Sequence, residues 1–79
     1  MFYTYVLRSK KDHELYIGWA VDLEERLNKH NNGLVESTKS RRPLELVYFE
    51  GCKSKIGAIA REKQLKTGFG RSYLKRRLS

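Results

Sequence analysis

Cysteine is nearly absent from this 79-residue chain, because Cys52 is the only one. A single thiol excludes an internal disulfide and any zinc site built on several cysteines. The chain also lacks an apolar run long enough to span a bilayer, and residues 1–11 lack the charged-then-apolar pattern of a secretory signal. We therefore expect one domain, residues 1–79, with no membrane contact and a place in the reducing cytoplasm.

Acidic residues are scarce as well. The chain has 9 Asp and Glu against 17 Lys and Arg, which gives a formal net charge of +8. Such an excess favours a polyanionic partner, and nucleic acid is the usual one. A ribosome-associated structural protein would carry the same charge, so the charge alone does not indicate chemistry. The basic residues that we expect to contact phosphates lie in two runs and comprise Lys39, Arg41, Arg42, Arg71, Lys75, Arg76 and Arg77.

Three runs rich in aromatic and β-branched residues predict strands, and three further stretches predict helices. The predicted fold class is α+β, a small three-stranded antiparallel sheet flanked by helices in the order β-β-α-β-α-α. We expect Gly33 to follow the first helix with a positive φ and residues 68–70 to end the second. The strands are predicted at 2–9, 14–19 and 44–51, and the helices at about 22–30, 54–67 and 71–78.

An arginine and a histidine lie on the apolar face of the first predicted helix. Leu23, Arg26, Leu27 and His30 fall on one side of a 3.6-residue period. Arg26 either extends its guanidinium into water from a buried stem or clamps a phosphate with its planar fork. His30 is either a hydrogen-bonded histidine at the helix end or a second anion contact or general acid–base group.

A carboxylate has a similar position on the second predicted helix. Glu62 lies beside Ala58, Ile59 and Leu65, three residues of the apolar face. A carboxylate near the core needs a cation, a metal ion or water close by. A salt bridge to a basic residue and a metal ion are the two alternatives, and Glu62 taken alone favours the salt bridge.

Tyrosines crowd the first predicted hairpin, where aromatic residues commonly stabilise strands. If Tyr5 and Tyr16 shared a face of the sheet, their phenols could also orient or deprotonate a water molecule. Gly18, at the end of the second strand, leaves space for a backbone or a phosphate to approach. Phenols, an arginine, a carboxylate and a basic surface are together the parts of a metal-dependent phosphodiester hydrolase.

The order of these residues resembles the GIY-YIG nuclease superfamily, and within it the small stand-alone bacterial branch (UPF0213-like). The two name-giving triplets correspond to "YTY" at 3–5 and "YIG" at 16–18. The helix arginine and the following histidine fall in "DLEERLNKH" at 22–30, and "STKSRRPLELVYFE" at 37–50 is similar to the family's middle stretch. The glutamate helix corresponds to "AIAREKQLK" at 58–66. The resemblance covers nearly the whole chain.

The resemblance implies a role for each of these residues. Glu62 would bind a single divalent cation, Mg²⁺ or Mn²⁺, and Arg26 would stabilise the scissile phosphate. Tyr5 would activate the attacking water, with Tyr16 and His30 as supporting groups in the same pocket. The implied activity is that of an endonuclease acting on DNA, structure-selective in repair or recombination.

Two departures from the family pattern define the alternative. Of the three residues of the first triplet, only Tyr5 agrees with the family pattern, and it stands at the catalytic position. No asparagine follows Asn32, although several family members carry one beyond the glutamate helix. The chain also shows no separate DNA-binding domain, so a partner protein that supplies target choice is an expectation. The alternative function is a nucleic-acid-binding module that keeps the fold with weak or no turnover.

Overall fold

The computed structural model describes residues 1–79, and its centre is a three-stranded antiparallel sheet. The strands are β1 (Phe2–Ser9), β2 (Leu15–Ala20) and β3 (Leu44–Cys52), in the spatial order β2-β1-β3. β1 is therefore the central strand, and it pairs antiparallel with both neighbours. The predicted fold class and element order are confirmed, with strand ends within one residue of the predicted ones.

Three helices accompany the sheet: α1 (Leu23–Asn31), α2 (Lys55–Leu65) and α3 (Gly68–Leu78). The Asp22 side chain accepts a hydrogen bond from the Glu25 amide and the Ser54 side chain accepts one from the Gly57 amide, each at 3.1 Å, so both predicted N-caps are present. None of the helices has the length and hydropathy that a bilayer crossing requires.

The prediction that residues 68–70 end the second helix is wrong. α2 ends at Leu65, and the glycines of this stretch form the first turn of α3. The reason is Thr67, whose hydroxyl accepts a hydrogen bond from the Gly70 amide and so caps a new helix. Gly70 also packs so closely on the Leu65 backbone that a larger residue would not fit there. Close packing, not the end of a helix, explains this glycine.

Side-chain alternation along β1 gives the sheet two apolar faces, each covered by different helices. Tyr5 and Leu7 project onto one face, where they pack with Leu23 and Leu27 of α1. Val6 projects onto the other face. Its cluster contains the buried Leu65 and Leu74 of α2 and α3, with Leu15, Ile17, Val47, Tyr48, Tyr73 and Leu78 at its margin.

The segment between α1 and β3 is tied to the sheet at several points. It contains a short 3₁₀ turn, Lys39–Arg41, and Gly33 near its start has a φ of 77°, positive as predicted. The Asn31 amide exchanges hydrogen bonds of 2.9 and 2.7 Å with the backbone of Leu44, at the start of β3. The Ser9 hydroxyl donates to the Arg41 carbonyl at 2.7 Å. These hydrogen bonds fix the path of the segment against the sheet.

Candidate active site

The register of the first hairpin places the two tyrosines on one face. Tyr5 pairs with Gly18, and Leu7 pairs with Tyr16, so Tyr5 and Tyr16 are diagonal neighbours across the ladder. Their ring centroids lie 6.4 Å apart. The prediction that the two phenols share a face is confirmed, although Gly18 and not Tyr16 lies directly opposite Tyr5.

Gly18 has a more specific role than the sequence suggested. It lies within β2, and a Cβ atom added to it would be 2.6 Å from the Tyr5 hydroxyl oxygen. The Tyr5 ring therefore occupies the space that a side chain at this position would need. The open space predicted for a backbone or a phosphate is filled by the phenol, which reaches over β2 towards α1.

A chain of hydrogen bonds links α1 to the Tyr5 hydroxyl. The Arg26 Nε–H donates to Tyr5 Oη at 3.3 Å, and Tyr5 Oη lies 2.9 Å from His30 Nε2. On its other side, the ring of His30 contacts Thr38, with 2.7 Å between Nδ1 and Oγ1. The exposed fraction is 2% for Tyr5 and 0% for both His30 and Thr38. These three members of the hydrogen-bonded chain are therefore shielded from bulk water, whereas Arg26 is not.

Aromatic contacts hold the imidazole in place. The His30 ring lies edge-on to Tyr5 at 5.8 Å and to Tyr16 at 5.0 Å between centroids. Tyr16 is only half-buried, so it forms the outer wall of this pocket, with Arg26 beside it. Four of the five residues predicted for the site, Tyr5, Tyr16, Arg26 and His30, are thus in direct contact.

Burial keeps the side chains of Tyr5 and His30 neutral. It raises the pKa of Tyr5 above its ordinary range, and the hydrogen bond from Arg26 opposes this shift only in part. Burial, followed by the positive charge of Arg26, lowers the pKa of His30 to about 4. At neutral pH the pocket therefore holds a phenol and a neutral imidazole beside a single guanidinium cation.

Glu62 is the fifth predicted residue, and it forms no hydrogen bond or salt bridge with the other four. Its negative charge contributes to the raised pKa of Tyr5. Its side chain is 17% exposed and pairs with Lys66 on the next turn of α2, with 3.5 Å between Oε2 and Nζ. The salt bridge that the sequence offered as one alternative is present, at the long end of the range for such pairs.

Glu62 is the one carboxylate that the site offers to a metal ion, and it is not part of a set of several protein ligands. No group of three or more His, Cys, Asp or Glu residues is arranged to hold one. A lone carboxylate fits Mg²⁺, which keeps several of its waters and usually binds through one or two carboxylates and the phosphates of a substrate. It does not fit a structural zinc ion, which needs four protein ligands.

A groove of about 890 Å³ runs between β2 and α3, beyond the outer edge of the sheet. Its lining includes Leu15, Ile17, Leu65 and Leu74, so it lies on the Val6 face of the sheet, and it reaches Tyr16 at the edge strand β2. Two of the predicted phosphate contacts, Arg71 and Lys75, stand on its rim together with Lys66, the partner of Glu62. The groove thus joins the basic surface of α3 to the strand that carries Tyr16.

The other predicted phosphate contacts have varied surroundings. Lys39 and Arg76 are exposed, and Arg42 is exposed with its Nε–H donating to the Lys39 carbonyl at 2.8 Å. Arg41 pairs with Asp12 at 3.0 Å and is only 22% exposed, so a phosphate would have to compete with that carboxylate. Arg77 is exposed and lies over the ring of Tyr73 at 5.3 Å.

Two features of the structure were not found by sequence reasoning. Thr38 touches His30 inside the pocket, but a threonine in a basic loop carries no signal of such a contact. The second feature is a polar cluster on the opposite face, where Arg61 binds Glu50 through Nε and Nη2 at 2.9 to 3.1 Å. The Tyr48 hydroxyl donates to Glu50 and contacts Tyr73, so this cluster is internally satisfied and structural.

Comparison with known proteins identifies similar chains. A family model described as the GIY-YIG catalytic domain matches residues 1–77. A UPF0213 protein of Syntrophus aciditrophicus is 46% identical over 66 residues, which are 81% of this chain and 75% of that protein. A UPF0213 protein of Staphylococcus saprophyticus is 47% identical over 66 residues, 82% of this chain and 79% of that one. The solution structure of the UPF0213 protein BH0048 from Bacillus halodurans superposes with a TM-score of 0.58 at 30% identity, covering 96% of this chain and 84% of that chain.

Proposed function

The chain belongs to the GIY-YIG catalytic domain family, whose activity is of the nuclease type, and from this premise we propose that it is a divalent-metal-dependent endonuclease that hydrolyses phosphodiester bonds in DNA. The observation that carries the proposal is the contact of Arg26, Tyr5 and His30 through one hydroxyl group. A protein that only bound phosphates would have no need of a buried phenol connected to a neutral imidazole.

The proposed reaction begins with a water molecule beside Tyr5. The water loses a proton to Tyr5 Oη while the phenol passes its own proton to His30 Nε2, 2.9 Å away. The water oxygen forms the new bond to phosphorus, and the leaving oxygen takes the electron pair of the broken ester bond together with a proton from solvent. After the product departs, the imidazolium returns its proton through the phenol to solvent.

The charge of the substrate helps this transfer. The guanidinium of Arg26 is one of the two causes that lower the pKa of His30, after burial. A phosphate bound beside Arg26 offsets that positive charge, so the imidazole becomes a better proton acceptor when the substrate arrives. The same guanidinium stabilises the negative charge that the phosphate gains in the transition state.

Glu62 is the residue that would hold the metal ion, with water and substrate phosphate as the other ligands. Bound there, Mg²⁺ or Mn²⁺ would supply Lewis-acid stabilisation of the phosphate and of the leaving oxygen. Lys66 is exposed, so its long side chain can leave the carboxylate when a cation takes its place. One ion is what a single carboxylate supports.

The groove supports a structure-selective substrate. Cations of its lining can bind backbone phosphates, whereas its hydrophobic residues can cover the faces of bases, which a duplex keeps inside its stack. We therefore favour an unpaired strand, as in a flap or a single-stranded tail, with Arg71 and Lys75 on its phosphates. Lys39, Arg41, Arg42, Arg76 and Arg77 are proposed as further phosphate contacts outside the groove.

A second candidate function is a nucleic-acid-binding module with little or no turnover. The observation that favours it is the raised pKa of Tyr5, which keeps the phenol protonated in the free protein, so that almost no phenolate is present to act as a base. The absence of an asparagine after Asn32 points the same way. Such a module would bind DNA through the basic surface and leave it intact.

The test compares cleavage and binding by the parent and by Arg26→Ala on labelled DNA with Mg²⁺ or Mn²⁺. We expect the parent to cut DNA and the variant to cut it at least about 100-fold more slowly. In other enzymes, the loss of one hydrogen-bond donor to the transition state slows the reaction by about this factor. Binding should weaken far less, because the other cations remain. Equal cleavage by the two proteins would contradict the proposed role of Arg26, and a parent that binds without cutting would favour the binding module.

A further inference from the structure

Thr38 lies in the segment between α1 and β3, and its side chain is fully buried against His30. The segment fixes its position through local hydrogen bonds. The Thr38 amide donates to the Val35 carbonyl at 3.1 Å, and the Thr38 carbonyl accepts from the Arg41 amide at 2.9 Å. The Arg41 carbonyl is in turn bound by the Ser9 hydroxyl. Thr38 is therefore held from β1 as well as from its own turn.

The protons of the pocket can be placed by elimination. Tyr5 Oη has two partners, the Arg26 Nε–H and His30 Nε2. A guanidinium has donors and no acceptor, so Arg26 cannot accept the hydroxyl proton of Tyr5. Tyr5 is 2% exposed, and a buried hydroxyl proton needs an acceptor. The only acceptor within reach is His30 Nε2, which must therefore carry a lone pair.

The protonation of His30 Nδ1 follows from that of Nε2. A neutral imidazole with a lone pair on Nε2 carries its proton on Nδ1. Nδ1 lies 2.7 Å from Thr38 Oγ1, so the threonine oxygen accepts this proton. The Thr38 hydroxyl can then donate to the Val35 carbonyl at 3.5 Å. The phenol proton of Tyr5, the Nδ1 proton of His30 and the hydroxyl proton of Thr38 each have an acceptor in this arrangement.

We propose that Thr38 is a positioning residue, which holds His30 in the Nδ1–H tautomer so that Nε2 can take the proton of Tyr5. The tautomer itself is a property of the folded chain, while its catalytic consequence rests on the proposed nuclease function. In the opposite tautomer Nε2–H would donate to Tyr5 Oη, and the phenol would have no group to which it could pass its proton. Thr38 thus acts through His30 without touching the substrate.

The test uses two substitutions at Thr38 and one matched control. Thr38→Val keeps the shape of the side chain and removes the acceptor, whereas Thr38→Ser keeps the hydroxyl. Thr4→Val makes the same chemical change at another buried threonine, whose hydroxyl donates to the Ala58 carbonyl at 2.8 Å on the opposite face of the sheet. Nitrogen-15 NMR of the imidazole groups at pH 7 reports the tautomer, and a His13→Asn variant assigns the two histidines.

We expect Nδ1–H on His30 in the parent, in Thr38→Ser and in Thr4→Val, and loss of that tautomer in Thr38→Val. Cleavage by Thr38→Val should fall at least tenfold with unchanged DNA affinity, and Thr38→Ser should restore it. An Nε2–H tautomer in the parent, or Nδ1–H retained in Thr38→Val, would overturn the proposal whether or not the protein cuts DNA. If Thr38→Val does not fold, Thr38→Ala, which also removes the acceptor, is measured in its place, and Nδ1–H retained there overturns the proposal equally. A parent with the expected tautomer and no cleavage would instead overturn the nuclease function.

Discussion

Tyr5 on β1 lies directly opposite Gly18 on β2, and its ring occupies the space that a side chain on Gly18 would fill. The tyrosine can therefore cross the neighbouring strand and bring its hydroxyl to Arg26 and His30 on α1. A central strand usually buries such a ring in the core. Here the absence of one side chain turns a core position into the centre of a polar pocket.

Gly18→Ala should disturb this arrangement. The new Cβ would lie 2.6 Å from Tyr5 Oη, and the buried, doubly hydrogen-bonded phenol has little room to move away. We expect the free energy of unfolding to fall by about 1–3 kcal/mol, as for other overpacked cores, and cleavage per folded molecule to fall as well. Chemical denaturation and a cleavage assay on the same preparation measure both effects.

Gly68→Ala is the control for that substitution. An added Cβ at Gly68, the first residue of α3, would have no atom within 4 Å. Its stability should be unchanged or raised by up to about 1 kcal/mol, because alanine restricts the unfolded chain more than glycine does. Equal stability of the Gly18→Ala and Gly68→Ala proteins would show that Tyr5 does not depend on the space above Gly18.

The buried histidine should make stability depend on pH. The pKa of His30 is lowered from 6.5 to about 4 in the folded protein, so the unfolded chain takes up a proton that the folded chain refuses between these values. The free energy of unfolding should therefore fall as the pH drops below 6.5, with a slope approaching about 1.4 kcal/mol per pH unit. Urea denaturation at pH 7, 6 and 5 measures it.

A matched control separates His30 from the other histidine and from the carboxylates. His13 is exposed and adopts a φ of 63°, which asparagine tolerates well, so His13→Asn should keep the same slope. Asp12 and Glu50 have lowered pKa values, so their stabilisation is lost only below the ordinary carboxylate range, not between pH 6.5 and 5. A flat profile in that window would contradict the burial of a neutral His30.

The rim of the groove should dominate the salt dependence of binding to an unpaired strand. Arg71→Ala combined with Lys75→Ala should weaken binding and reduce the slope of log affinity against log salt by about 1.4, if each cation neutralises one phosphate of the single strand. Lys53→Ala combined with Lys63→Ala removes the same charge from exposed positions outside the groove. A similar loss in both double variants would indicate a diffuse charge effect and would contradict a strand bound in the groove.

Glu62→Ala should separate metal binding from stability. Its pair with Lys66 is long and the lysine is 54% exposed, so breaking it should change the free energy of unfolding by less than about 0.5 kcal/mol. DNA binding should hold or tighten because the protein becomes more positive, while cleavage should be lost. Thermal melting, affinity and cleavage are measured on one preparation, beside Glu24→Ala, which makes the same charge change at an exposed position.

A lower melting temperature with intact cleavage per folded molecule would identify Glu62 as a structural partner of Lys66 only. Loss of cleavage in Glu24→Ala as well would assign the effect to net charge and not to the site.

The elements that local signals specify could be predicted from the sequence. Asp22 and Ser54 bond to amides three residues ahead, so their caps are visible in a short stretch of chain. Tyr5 and Tyr16 could be paired because the hairpin between them is short. The contact of Thr38 with His30 depends on the path of the whole segment between α1 and β3, and that path is fixed by distant partners such as Ser9 and Leu44. No local pattern contains this information.

The most direct measurement is cleavage of labelled flap, junction, duplex and single-stranded DNA by the parent and by Tyr5→Phe, with and without Mg²⁺ or Mn²⁺. Tyr5→Phe keeps the ring over Gly18 and removes only the hydroxyl that joins Arg26 to His30. The nuclease function predicts metal-dependent cleavage of at least one substrate by the parent, fastest where a strand is unpaired, and none by Tyr5→Phe at equal DNA binding. A parent that binds all four substrates and cuts none with either metal, or a Tyr5→Phe protein that cuts as fast as the parent, would contradict it.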